Sequence, residues 1–143
     1  MARTLSVCVA LLLAGGGDTA ADSAEILLTR TAAPGQAEMS AIVGGELAID
    51  LDRGCVLLSE KPVVWPAGTT LATDPARVEL PNGATARPGD VVSGGGGEVP
   101  AGHLRSGELP IVGDVDRALA CAPDEPDAVV FTARGDALSV SRG

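Results

Sequence analysis

Between residues 41 and 143, short segments that alternate apolar and polar side chains recur about every eight to twelve residues, separated by turn-forming residues. Glu46-Leu47-Ala48-Ile49-Asp50-Leu51 alternates as a half-buried strand does, Asp52-Arg53-Gly54 turns, and Cys55-Val56-Leu57-Leu58 returns. A second turn is expected at Glu60-Lys61. Pro62-Val63-Val64-Trp65-Pro66 follows as a strand fenced by prolines, a pattern that suits a sheet edge or a barrel rim. Arg77-Val78-Glu79-Leu80 alternates again before Pro81-Asn82-Gly83, the strongest hairpin signal, because Asn-Gly tolerates the positive φ of a tight turn. Asp127 to Thr132 reads as a late strand, and Ala137 to Val140 can add another. The one good helix candidate is 112–122, with Asp114 as its cap and Val115, Leu119 and Ala122 near one face. This spacing predicts a mostly β fold, a small antiparallel barrel or sandwich with one short helix, and is compatible with an OB-like barrel.

The core of such a fold must be aliphatic. One Trp, one Phe and no Tyr leave Val, Leu, Ile and Ala to supply nearly all the buried area. Each contributes roughly 1.5–3 kcal/mol on full burial, so a covalent staple matters in a domain of this size. A net charge of -9 and the scarcity of aromatic rings argue against nucleic-acid binding, which needs cationic groups against phosphates and rings to stack on bases.

The N-terminus reads as an export signal. Met1-Ala2-Arg3-Thr4 gives a short basic start, and Leu5 to Ala14 is apolar. That run is shorter than the about 20 residues a membrane-crossing helix requires. Residues 1–21 are thus expected to be a signal peptide cut near Thr19-Ala20-Ala21, with 22–40 a linker that holds a short first strand around Glu25 to Arg30. Residues 41–143 are the single β-rich domain. Secretion is the expected fate, the alternative being attachment to the membrane through an uncleaved N-terminal segment. Leu13-Ala14-Gly15 matches the first positions of a bacterial lipobox, but Gly16 stands where the lipid-bearing Cys should be. Loss of Cys8 with the leader leaves Cys55 and Cys121, read as a disulfide formed in an oxidising compartment; two buried thiols or a redox pair are the alternatives.

Few motifs carry chemistry. Gly94-Gly95-Gly96-Gly97 lacks the Lys-Ser/Thr of a phosphate loop, since Glu98 follows it, and reads as a bend, a bulge or a mobile rim, with Glu98 to Gly107 loop-like. His103, the only His, lies near Ser93, Ser106, Asp90 and Asp114 in sequence, which leaves a small secreted hydrolase as the alternative function. Asp114, Asp116, Asp124, Glu125 and Asp127 lack calcium-loop spacing and read as a solvated edge and a helix cap. No metal or cofactor is expected. Trp65 reads first as a core anchor. If exposed, it joins Ser93, Gly94, Gly95, Gly96, Gly97 and His103 as the candidate contact rim.

Gly45-Glu46-Leu47, Gly54-Cys55-Val56-Leu57, Val63-Val64-Trp65-Pro66-Ala67-Gly68-Thr69, Val78-Glu79-Leu80-Pro81-Asn82-Gly83, Gly89-Asp90-Val91-Val92-Ser93 with the glycines that follow, and Cys121 together resemble a group of uncharacterised exported proteins of actinobacteria. The Arg-over-Lys bias and high Ala, Gly and Pro suit a GC-rich genome of that kind. The resemblance implies export, often with a lipid anchor, and a compact β domain. On these grounds the chain is expected to be an extracytoplasmic, non-enzymatic binding or accessory protein for an unknown protein or small ligand at the cell envelope.

Overall fold

A computed structural model describes residues 26–31 and 38–143. The expected leader, its cleavage site, Cys8 and Gly16 lie outside the described residues.

The strands are β1 (Leu28–Arg30), β2 (Ala41–Asp50), β3 (Cys55–Leu58), β4 (Lys61–Trp65), β5 (Thr70–Ala72), β6 (Arg77–Glu79), β7 (Thr85–Ala86), β8 (Val91–Pro100), β9 (Ile111–Val112), β10 (Asp127–Phe131) and β11 (Ser139–Ser141). Helix α1 spans Val115–Ala120, and a 3-10 turn spans Ala101–Arg105. The sheet runs β10-β8-β2-β3-β4, and β10 pairs back onto β4, so these five strands close a barrel. In chain order the barrel strands are β2, β3, β4, β8 and β10, and their neighbour order is the Greek key of an OB-type barrel. The β5-β6-β7 meander forms a separate small sheet between β4 and β8. Its Leu71, Val78 and Ala86 join the main core.

Most pairings are antiparallel, as expected, but β4 pairs in parallel with both β10 and β1. That difference explains two uninterrupted apolar runs. Val63, Trp65, Val129 and Phe131 belong to the main core inside the barrel, while Val64, Ala128 and Val130 join a second cluster with Leu28, Leu104 and Leu119. A wall covered on both faces needs apolar side chains at successive positions, not alternate ones. The second cover is built by α1, the 3-10 turn and β1. Arg30 is buried there, 2.5 Å from the Glu38 carboxylate, and also donates to the Phe131 carbonyl. Glu38 accepts from the Ala133 N–H, so the pair ties Arg30 of β1 and Glu38 to the end of β10.

The prolines around β4 do not mark an edge. Pro62 is the second residue of β4, beside the hairpin to β3, and Pro66 lies just past its end. The pairings to β10 and β1 fall on Val63, Val64 and Trp65, which retain their N–H groups. The β3–β4 turn is Ser59-Glu60, one residue earlier than the sequence suggests, with both at positive φ. Ser59 holds this turn against β2 by donating its N–H to the Glu46 carbonyl and accepting the Glu46 N–H at its hydroxyl. The Asn82-Gly83 turn forms as expected, with Gly83 at φ +87. Helix α1 is shorter than its apolar pattern, but its cap is as expected: the Asp114 carboxylate accepts the Arg117 N–H at 3.1 Å. A disulfide joins Cys55 on β3 to Cys121 at the end of α1, with a sequence separation of 66. It fastens the cover of the second cluster to the barrel.

Candidate functional site

The candidate rim does not assemble as one surface. Trp65 is 1% exposed, with its ring centroid 5.6 Å from that of Phe131 inside the barrel. It is the core anchor, since an aliphatic core draws in its two aromatic side chains. Gly94 to Gly97 form neither loop nor rim: they are buried in the middle of β8, which continues to Pro100. The reason is close approach by other parts of the chain. A Cβ on Gly96 would lie 2.1 Å from the Val130 carbonyl oxygen, and one on Gly97 would meet the Met39 sulfur. At Gly94 it would press on Leu138 and Phe131, and at Gly95 it would approach the Asp136 carbonyl. The glycines let β8 pass between β2 and β10 while these groups lie against it.

The acid–base residues also separate. His103, in the 3-10 turn, places Nε2 3.1 Å from the Glu108 carboxylate. The Ser106 hydroxyl donates to the His103 carbonyl at 2.7 Å and accepts the Glu108 N–H, which makes it part of the turn. Ser93 pairs hydroxyl to hydroxyl with Ser139 at 2.8 Å. Asp114 caps α1, and Asp116 accepts from Arg105. In this arrangement the Ser93 and Ser106 hydroxyls have the Ser139 hydroxyl and the His103 carbonyl as partners, rather than the His103 ring that a serine-histidine pair uses. Among the described residues, no three His, Cys, Asp or Glu side chains stand close enough to share a metal ion.

The surface that does stand out is a shallow open groove of about 610 Å³ along β2 and β8. Register places Ile42 opposite Gly95, Gly44 opposite Ser93, and Glu46 opposite Val91, so these six residues share the outer face. Ile42 is 69% exposed and Val91 39% exposed, with half-buried Gly44 between them, while Gly95 is buried with its N–H bonded to the Asp136 carbonyl. A side chain on Gly44 would strike the Val92 carbonyl, which keeps the floor flat. Ser93 and its Ser139 partner border the groove on the β11 side, and Glu98 borders it near the end of β8. Glu98 is held by Lys61 at 2.7 Å, and that hydrogen bond is the main reason the Lys61 ammonium titrates above its ordinary value.

Of the sequence candidates, Ser93 lies at this groove. Gly94 to Gly97 are buried outside its lining, His103 lies beyond the end of β8, and Trp65 is inside. Ile42, Gly44 and Val91 were not singled out from sequence. Their signal is the Gly44-Gly45 pair interrupting an apolar strand, and it becomes legible only when β8 is known to lie beside it, with Ser93 and Val92 opposite the two glycines.

No protein-family model, no curated protein and no solved structure matches this chain. Its class is defined by architecture alone: a disulfide-stapled, five-stranded β-barrel with a helical cover.

Proposed function

We propose that this chain is an exported, non-enzymatic binding domain that meets its partner through the β2–β8 groove. The carrying observation is Ile42, a large apolar side chain 69% exposed, which lines the groove with Gly44 and Val91. Apolar groups presented together on a flat surface favour contact with a partner. The extracytoplasmic setting is supported by the disulfide, which persists in oxidising compartments, by the leader-like first 21 residues, and by the resemblance to exported actinobacterial proteins. Among the described residues no helix is long and apolar enough to cross a membrane.

The test is site-specific photo-crosslinking in intact cells. A photoreactive residue at Ile42 is expected to give a discrete adduct, and one at Asp52, in the exposed β2–β3 turn, is expected to give none. Equal labelling from both positions overturns the assignment of the groove. Intact mass of the same material reads the export half: loss of the leader with Cys55 and Cys121 oxidised is expected. A full-length species places the protein at the membrane through its N-terminus, and a reduced cytosolic species removes the export reading.

A further inference from the structure

Asn82 is the only asparagine in the chain, and glycine follows it. That dipeptide is the least hindered context for attack of a backbone nitrogen on a side-chain amide, because Gly83 has no Cβ to block the approach. The surroundings add to this. Asn82 and Gly83 are exposed, and nothing lies within 4 Å of where a Gly83 Cβ would sit. The Asn82 Oδ1 accepts the Ala84 N–H at 2.9 Å, which polarises the amide carbonyl and holds it along the direction of the following backbone. Its Nδ2 donates to the Leu138 carbonyl at 3.3 Å. This bond links the β6–β7 turn to the residue just before β11, across 56 positions of sequence.

We propose that Asn82 is a site of spontaneous deamidation and that its conversion loosens β11 at the border of the β2–β8 groove. In the reaction the Gly83 nitrogen loses its proton and bonds to Asn82 Cγ, and the Cγ–Nδ2 bond breaks with release of ammonia. Water then opens the resulting five-membered imide, at one carbonyl to give aspartate and at the other to give isoaspartate. The opposing feature is the hydrogen bond from the Gly83 N–H to the Leu80 carbonyl at 3.0 Å, a single turn bond at an exposed position that opens readily. Aspartate puts a carboxylate oxygen where Nδ2 donated to the Leu138 carbonyl, so a bond becomes a repulsion, and isoaspartate loses the same donor because its Cγ passes into the main chain as the carbonyl bonded to the Gly83 nitrogen. Leu138 leads directly into Ser139, whose hydroxyl pairs with Ser93 beside the groove. The chemical change itself does not depend on the groove being a binding surface.

The experiment incubates the folded, oxidised protein in mildly alkaline buffer and maps deamidation by peptide mass and isoaspartate detection, with the reduced and denatured chain as a parallel sample. Accumulation of isoaspartate and aspartate at position 82 in the folded sample is expected, and Asn82→Gln, whose longer side chain cannot close the five-membered imide, is expected to stay intact. Conversion in the denatured sample alone overturns the modification. Hydrogen exchange on Asn82→Asp reads the second half. Exchange at residues 139–141 is expected to rise about fivefold, the loss of roughly one hydrogen bond. Unchanged exchange there overturns the coupling to β11.

Discussion

Two walls of the same barrel are built on opposite terms. The wall of β4 and β10 is covered on both faces, with Trp65 and Phe131 inside and Val64 and Val130 beneath α1 and β1. The wall of β2 and the start of β8 leaves its outer side open, where Ile42, Gly44 and Val91 line the groove, up to the turn carrying Asp136 that covers Gly95. The first wall uses parallel pairing and continuous apolar sequence, the second antiparallel pairing and interrupted sequence. Stability is concentrated where cover is double, which leaves the other wall able to present a surface without risk to the fold.

The sharpest way to break this comparison is the same substitution on each wall. Val130→Asp puts a carboxylate into a fully buried site among apolar side chains, and is expected to cost more than about 5 kcal/mol or to abolish folding. Ile42→Asp is expected to change stability by less than about 0.5 kcal/mol, because the side chain already faces water. Urea unfolding of both variants measures the contrast; similar midpoints mean that the walls do not differ as described. The next largest effect concerns the staple. Replacing both Cys55 and Cys121 by Ser is expected to cost about 4 kcal/mol by the chain-entropy estimate for a loop of this length. Thermal unfolding with and without reductant checks it: the wild-type protein drops to the variant's midpoint on reduction, and the variant does not respond.

Much of this contrast is written in the residues, though not all of it at the level of single segments. The β2–β3 and β6–β7 turns, the Asp114 cap and the Cys55–Cys121 pair were legible because each is a local decision, made by turn chemistry, capping or the count of cysteines. Val63-Val64-Trp65 announced a strand, but its central place depends on β10, more than sixty residues later, which no local pattern encodes. The glycine run was misleading for the same reason. Four glycines in isolation suggest a mobile rim, and only the approach of Met39, Val130, Phe131 and Asp136 from three other segments makes them a requirement of a strand. The groove was the least legible feature, since it exists between β2 and β8 and belongs to neither alone.

Within the glycine run the two walls meet, and graded substitutions locate the boundary. Gly96→Ala sets a Cβ 2.1 Å from the Val130 carbonyl oxygen, a backbone atom that yields only if the β8–β10 ladder opens. The expected cost is about 3 kcal/mol, at the high end for overpacking. Gly95→Ala points to the outer side, where the closest group is the Asp136 carbonyl at 3.2 Å in an exposed turn, and is expected to cost below about 1 kcal/mol. Equal costs would mean that the turn carrying Asp136 is as rigid as the barrel wall.

The smallest expected effect lies where the groove's border meets the closed wall, at Lys61 of β4 and Glu98 of β8. The Glu98 hydrogen bond, reinforced by the charges of Glu98, Glu125 and Asp127 and opposed by burial, raises the Lys61 ammonium above its ordinary 10.5. A proton held more tightly in the folded chain than in the unfolded one stabilises the fold fully below pH 10.5, and that stabilisation is lost as pH rises through the raised folded value. Both partners are partly exposed, so the gain is held to under about 1 kcal/mol by solvent screening. Lys61→Met should therefore lower stability slightly at neutral pH, less so in high salt, and the gap to wild type should close in strongly alkaline buffer. A gap that persists at high pH and high salt would assign the contribution of Lys61 to its aliphatic stem packed on the wall, and the ion pair would then add nothing to the border of the groove.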